Sequence, residues 1–193
     1  MPDSAMRRVA RRVPPFDHAG FTAVVEEHQV AVHNLCYRML GDSHLAEDAA
    51  QEAFLRAFRA QDRYDPTRSV RTWLLSIAAH HCIDELRRRA LLTWLPIREN
   101  PVLDPSLGPE ASLVQREAEV EVRRLLEGLK PEERAAIVLR YWHDMSVEEI
   151  AEAMNASAHA VRTRLYRARR RLAASGAAPA SEGRGLNHEP RPV

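Results

Sequence analysis

With 193 residues, 45% of them hydrophobic and 28% charged, the chain has material for one soluble domain of ordinary size or two small ones. Aromatic residues make up only 6%, so the cores must be aliphatic, and the formal net charge of +1 leaves any affinity for an anionic partner to local clusters of cations. No apolar run approaches the roughly 20 residues that span a bilayer, and the basic N-terminus lacks the apolar stretch of a secretion signal, so no direct membrane insertion and a cytoplasmic location are expected.

Residues 1–16, with Arg7, Arg8, Arg11 and Arg12 ahead of Pro14 and Pro15, are predicted to form a disordered basic arm. From Phe21 the positions Phe21, Val24, Val25, His28, Val32, Leu35, Cys36 and Met39 recur at steps of three and four, which makes a helix with one buried stripe; Gly41 ends it. A second helix is predicted from about Ser43 to about Ala60, burying Ala46, Ala50, Ala53, Phe54, Ala57 and Phe58. Pro66 breaks the pattern, and a third helix from about Val70 to Arg89 buries Trp73, Leu74, Ile77, Ala78 and Leu86. Cys36 and Cys82 lie far apart within these patterns and read as buried small hydrophobes, not as a disulfide scaffold.

Between about Ala90 and Glu110 four prolines and a glycine rule out regular helix, so this segment is read as a linker. Its Leu91, Leu92, Trp94, Leu95 and Ile97 are too apolar for a freely solvated tether and are expected to lie against a surface. A fourth helix from about Ala111 to Gly128 turns Val114, Ala118, Val122, Leu125 and Leu126 inward, and residues beyond about Ser175 read as a disordered tail. No alternating β-branched run appears anywhere. The predicted fold is therefore all-α, two small helical domains over about 17–90 and 111–174 joined by the proline-rich linker.

The C-terminal part of the second domain carries the most specific local pattern. Pro131 with Glu132 and Glu133 starts a helix that runs to about Trp142, since proline is tolerated in the first turn and acids there complement the dipole. In SVEE, Ser146 and Glu149 have the spacing of a capping box, opening a short helix through Val147, Ile150, Ala151 and Met154. Asn155 can close it in the left-handed conformation, and Ser157 caps a further helix through Val161, Leu165, Ala168 and Leu172. A short helix, a tight turn and a second helix form a helix-turn-helix, whose second helix enters the major groove. Positions of that helix outside its core stripe are His159, Arg162, Thr163, Arg164, Tyr166, Arg167, Arg169, Arg170 and Arg171, nearly free of acid. Arginine's planar fork takes both acceptors of a guanine or grips a phosphate, so this face is the candidate duplex-DNA surface. The alternative is a solvated amphipathic helix whose arginines pair with acidic neighbours.

Two further surfaces stand out. On the second helix Asp48, Gln51, Glu52 and Leu55 share the face opposite the alanine and phenylalanine stripe, and an exposed leucine with an acidic and amide rim suits a partner surface as well as an ordinary exposed face. The third helix and the loop before it carry Arg63, Tyr64, Arg68, Arg71, His80, Arg87, Arg88 and Arg89, cations that can track a single-strand backbone with a ring for stacking. Trp73, at core spacing, reads as packing. His80, His81 and Cys82 point about 100° apart along a helix and cannot converge on one ion, so no metal is expected. No phosphate-cradling glycine loop or nucleophile elbow appears, so neither a cofactor nor an enzyme is expected.

HLAEDAAQEAFLRAF, then WLLSIAAHHCIDELRRR, then LKPEERAAIVLRYWHDMSVEEIAEAMNASAHAVRTRLYRARRRL together resemble the bacterial sigma factors of the extracytoplasmic-function type, over about Phe21–Ala173. The resemblance implies an alternative sigma factor that answers an environmental or envelope stress signal. Its first domain would bind the clamp helices of the largest catalytic subunit of core RNA polymerase through Asp48, Gln51, Glu52 and Leu55, and capture the melted minus-10 strand through Arg63, Tyr64, His80, Arg87 and Arg88. Its second domain, beside the polymerase beta flap, would read the minus-35 element of promoter DNA through His159, Arg162, Thr163, Arg164, Tyr166 and Arg167, and an anti-sigma factor would hold the protein inactive. His80 stands where the family usually has asparagine. A stand-alone helix-turn-helix transcription regulator, and a scaffold that binds only other proteins, remain the competing readings.

Overall fold

The computed structural model describes residues 16–92 and 113–175. Among the described residues seven α-helices follow one another: α1 (His18–Leu40), α2 (Ser43–Ala60), α3 (Val70–Leu92), α4 (Leu113–Glu127), α5 (Pro131–Tyr141), α6 (Val147–Ala153) and α7 (Ala158–Ala174), with a 3₁₀ turn at Gln61–Arg63. The described residues hold no strand, in keeping with the all-α expectation. The expected basic arm up to residue 15, the part of the linker beyond Leu92 and the tail beyond 175 lie outside the described residues; the first residues assigned to the linker instead extend α3, and Leu91, expected to lie against a surface, is 76% exposed. Among the described residues no helix is long and apolar enough to cross a membrane.

Local chemistry sets the helix ends. Asp17 accepts from the Gly20 amide at 2.7 Å and Asp42 from the Leu45 amide at 2.9 Å, each satisfying a donor that the helix leaves orphaned. Gly41 closes α1 at φ 74°, where a side chain would be strained, and its amide donates to the Tyr37 carbonyl at 2.8 Å. Ser146 and Glu149 form the predicted reciprocal box, Glu149 N donating to Ser146 Oγ at 3.1 Å and Ser146 N to the Glu149 carboxylate at 2.8 Å. Asn155 takes the left-handed conformation at φ 46°, and Ser157 Oγ accepts from the Ala160 amide at 3.1 Å to start α7.

Helices α1, α2 and α3 pack together. Val32, Leu35, Cys36 and Met39 of α1 meet Leu74, Leu75, Ala78 and Cys82 of α3 over a floor of five buried alanines on α2. The alanines let the backbones approach closely, while Phe54 and Phe58 stay half-buried at the rim, Phe58 edge-on to Phe21 at 5.2 Å between ring centroids. Cys36 and Cys82 are free thiols, both fully buried. Their mutual hydrogen bond, with burial adding to it, pushes the Cys82 thiol far above its ordinary range and keeps it protonated.

Helix α5 is central to the second half. Seven consecutive residues, Glu133 to Leu139, are buried, so it is covered on every side: by α7 and α6 of its own half and by α1 and α3 of the first. That packing explains where α3 departs from the predicted single stripe. Cys82 is buried as expected, but Leu75, Ala79 and Ile83 are buried outside the predicted stripe of Trp73, Leu74, Ile77, Ala78 and Leu86, and Trp73, Ile77 and Leu86 are half-buried. Ser76, Ala79, Ile83 and Arg87 recur at three and four and form a second face, from which Ser76 Oγ donates to the Ala153 carbonyl of α6 at 2.7 Å. Helix α4 departs the other way: Ala118 is exposed, Val122 and Leu125 are half-buried, and Leu126 alone of the expected stripe is buried among the side chains described.

Candidate nucleic-acid interface

Helix α7 is held from below by Val161, Leu165 and Ala168, all buried, so the residues between them are aimed outward. His159, Arg162, Tyr166, Arg167, Arg169 and Arg170 are exposed, with Tyr166 at 61% and the Arg170 guanidinium 5.8 Å from its ring centroid. Thr163 is half-buried and its hydroxyl donates to the His159 carbonyl at 3.0 Å. Arg162 reaches back over the turn to Glu148 of α6 at 3.0 Å, an exposed pair that salt screens.

Arg164 differs from its neighbours. Its position lies about 60° from the Val161 row, on the flank facing α5, so it is half-buried and its Nη1 has no hydrogen-bond partner. It acts electrostatically on Glu132 at the start of α5. Burial would raise the Glu132 carboxyl, but its backbone hydrogen bond, the Arg87 guanidinium and Arg164 hold it below the usual carboxylate range. Arg171, on the same flank, pairs with the buried Glu133 at 3.2 Å.

The cations of α3 and the preceding loop are distributed along the helix rather than gathered in one spot. Arg63 and His80 are exposed, His80 Nδ1 lying 2.8 Å from the Ser76 carbonyl. Tyr64 is half-buried against Trp73 and Phe16, at 4.9 and 5.7 Å between centroids, and its hydroxyl donates to the Arg68 carbonyl at 2.6 Å. Arg88 and Arg89 both fold back onto Glu85 at 2.5 and 2.9 Å. Arg68, Arg71 and Arg87 instead reach the second half: Arg68 pairs with Glu152 and Arg87 with Glu132. Arg71 Nη1 donates to the His143 carbonyl at 3.0 Å.

At the other end of the same boundary Arg38 grips Glu119 with two hydrogen bonds of 2.9 and 3.0 Å and lies 4.9 Å from the Trp142 ring centroid. Arg123 donates to the Gly41 carbonyl at 3.1 Å. The buried Arg134 donates to the Met39 carbonyl at 2.6 Å, and burial lowers its pKa from the ordinary arginine value. Nothing in the spacing of the sequence pointed to these pairs, since each joins residues more than 80 positions apart. A cation between Glu133 and Ala135 in an otherwise buried run was the one available signal.

On α2 Asp48, Gln51 and Leu55 are exposed, Leu55 at 50%, and Glu52 is half-exposed with Arg56 donating to it at 2.7 Å. That hydrogen bond lowers the Glu52 pKa. Beside this face, between α1 and α2, runs a groove of about 400 Å³ lined by Val25, Val30, His33, Glu47, Gln51 and Phe54 among others. Val30, 66% exposed, stands outside the predicted stripe of α1.

Comparison with known proteins gives two family matches in chain order, Sigma-70 region 2 over residues 24–91 and Sigma-70 region 4 over residues 119–172. The ECF RNA polymerase sigma factor SigW of Bacillus subtilis is 33% identical over 177 residues, covering 86% of this chain and 94% of that protein. The ECF RNA polymerase sigma factor SigE of Mycolicibacterium smegmatis is 33% identical over 153 residues, covering 77% of this chain and 58% of that one. Among solved structures, CnrH bound to the cytosolic domain of CnrY superposes with a TM-score of 0.62 at 26% identity, covering 82% of this chain and 88% of that chain. The sigma factor RpoE of Bartonella quintana, in complex with the anti-sigma factor NepR, gives a TM-score of 0.64 at 20% identity over 79% of this chain and 93% of that one, a likeness that speaks for the fold. With both regions matched in order and a relative aligned along nearly its whole length, the chain belongs to the extracytoplasmic-function RNA polymerase sigma factors and directs transcription as an alternative sigma factor.

Proposed function

We propose that the chain works as two modules, over about 17–90 and 111–174, that divide promoter recognition between them. The outward face of α7, with His159, Arg162, Thr163, Tyr166 and Arg167 at its centre and Arg164 on its flank, reads the minus-35 duplex beside the polymerase beta flap. Arg63, Tyr64, His80, Arg87 and Arg88 capture the melted minus-10 strand, Tyr64 as part of a stacked aromatic edge and the arginines along its backbone. Asp48, Gln51, Glu52 and Leu55 dock on the clamp helices of the largest catalytic subunit, with the adjoining groove extending the surface. Catalysis then belongs to the polymerase.

The observation that carries the reading is the combination on one chain of a capped helix-turn-helix with an arginine-rich, acid-free outward face and a separate bundle that exposes a leucine within an acidic and amide rim. An anti-sigma partner, and an environmental or envelope stress as its trigger, are proposed from the family; RpoE of Bartonella quintana is solved with such a partner.

Run-off transcription with core RNA polymerase on a promoter library tests the whole reading. The protein is expected to redirect initiation, Leu55→Asp to abolish core binding while the fold is kept, and the Arg162→Ala, Arg167→Ala variant to lose initiation at selected promoters. Failure to bind core, together with a footprint on duplex DNA by the protein alone, would instead establish a stand-alone helix-turn-helix regulator.

A further inference from the structure

The groove between α1 and α2 is apolar along Val25, Val30, Ala50 and Phe54 and acidic at its rim, where Glu47 lines it and the exposed Glu26 stands between Val25 and Val30 around the α1 axis. Val30 is 66% exposed, so the apolar lining meets water. Neither Glu26 nor Glu47 is paired with a cation among the described residues. The occupant this chemistry fits is a short segment, aliphatic on one side and cationic on the other.

Residues 1–15 supply such a segment. Wound as a helix, they would set Met6, Val9, Ala10 and Val13 within an arc of about 100°, with Arg7, Arg8, Arg11 and Arg12 all on the opposite side. Ser4 has the chemistry of an N-cap, and Pro14 and Pro15 keep such a helix separate from α1. From Ser4 to Val13 it would be about 14 Å long, the same rise that α1 makes along the groove from Val25 to Asn34. The point of attachment also fits. Phe16, where the described fold begins, lies 6.4 Å from Phe21, itself 5.2 Å from Phe58, and this aromatic stack stands one turn beyond Val25 and Phe54 at the end of the groove. A segment that leaves Phe16 and doubles back along α1 therefore enters the groove directly. A lipid surface is a poorer match, since the row lacks the Trp, Phe or Leu of an interfacial helix, and a strand of nucleic acid asks for no aliphatic row at all.

We propose that residues 1–15 fold back as an amphipathic helix into the groove between α1 and α2, setting Met6, Val9 and Val13 against Val25, Val30 and Phe54, with Arg7 and Arg12 at the edges of the basic side reaching Glu26 and Glu47. A tether this short gives the arm an effective concentration on the order of millimolar, so modest contacts are enough to seat it. The seated arm is a rival for core polymerase, because Gln51 belongs both to the groove and to the face assigned to polymerase docking. That last step rests on the docking assignment; the seat itself does not.

A nitroxide attached to the full-length chain at Arg8→Cys, on the solvent side of the docked helix, reads the seat by NMR, since Cys36 and Cys82 are buried away from the labelling reagent. The amide signals of Gln29 to Asn34 and of Glu47 to Gln51 are expected to be lost and those of α7 kept. Val9→Asp in the arm, or Val30→Asp in the groove, should restore them while the helical circular dichroism stays unchanged. Groove signals that survive in the labelled parent overturn the seat, and a loss that persists in Val9→Asp reduces the contact to charge and overturns the apolar row. Vesicles of phosphatidylglycerol that bind the parent, free its groove signals and fail to bind Val9→Asp would assign the arm to a membrane instead. Affinity for core RNA polymerase is titrated separately on the unlabelled chain. Val9→Asp is expected to bind core on the order of tenfold tighter than the parent, the factor set by an arm seated about nine-tenths of the time. Equal affinity overturns the rivalry where Leu55→Asp still abolishes core binding; if Leu55→Asp binds core normally, the docking assignment fails whatever the arm does.

Discussion

His143 sets a pH dependence that can be worked from the structure. It lies in the turn between α5 and α6, only 4% exposed, and Arg71 Nη2 is 3.3 Å from its Nδ1. A guanidinium can only donate, so Nδ1 accepts and the ring proton sits on Nε2, which is buried without a hydrogen-bond partner. Burial first and Arg71 second lower the pKa of His143 from 6.5 to about 4, with Asp144 opposing; Glu149 of α6 also lies in the field of Arg71. The unfolded chain therefore binds this proton more readily than the folded one. The stability at stake is complete above about pH 6.5 and is lost as the pH falls from there toward 4. The full difference is about 3 kcal/mol, of which about 2 kcal/mol is gone by pH 5. Urea unfolding at pH 8, 6 and 5 should show the wild type losing about 2 kcal/mol more than His143→Gln, which keeps an acceptor for Arg71 but does not titrate. Carboxylates common to both proteins cancel in that comparison. Parallel pH profiles for the two proteins would refute the argument.

Gly41→Ala should destabilise by about 1–2 kcal/mol and lower Tm by several degrees in a thermal melt, because φ is 74° there and the new Cβ would meet Arg123 Cδ at 3.2 Å. Ser146→Ala removes one half of the box that opens α6 and should lower the urea midpoint by an amount equivalent to about 1 kcal/mol. Arg162→Ala should reduce the salt slope of holoenzyme binding to duplex promoter by about 0.9 if its contact is to a phosphate, and relax preference at one base pair if it is to a guanine. A filter-binding titration over a salt series separates those outcomes, and no change in either quantity would remove Arg162 from the interface.

Features written into neighbouring residues were legible before any coordinates. Gly41, Asn155 and the Ser146 to Glu149 spacing announce helix ends because capping is satisfied within a few positions, and the observed φ values and hydrogen bonds agree. The basic face of α7 was equally plain, since a helix buried on one row displays everything else. What stayed hidden depends on contacts between distant segments. A period of 3.6 announces one stripe per helix, so the second face of α3 through Ser76, Ala79 and Ile83 went unread, as did the burial of Arg134. Arg164 counts as outward by spacing alone; only the approach of α5 turns its position into a flank. Helix α4 shows the converse, an amphipathic sequence whose Ala118 stays in water because few elements pack on it.

A helix of 11 residues that keeps seven neighbours in a row dry has no spare side to offer. Whatever draws α1 and α3 off α5 wets part of a face built from Ala135, Ala136, Ile137, Val138 and Leu139, and an apolar ribbon of that kind promotes clumping in solution. Opened molecules should therefore be scarce and short-lived, surviving where a replacement cover is already within reach, so that release and capture by the next binding surface become a single event.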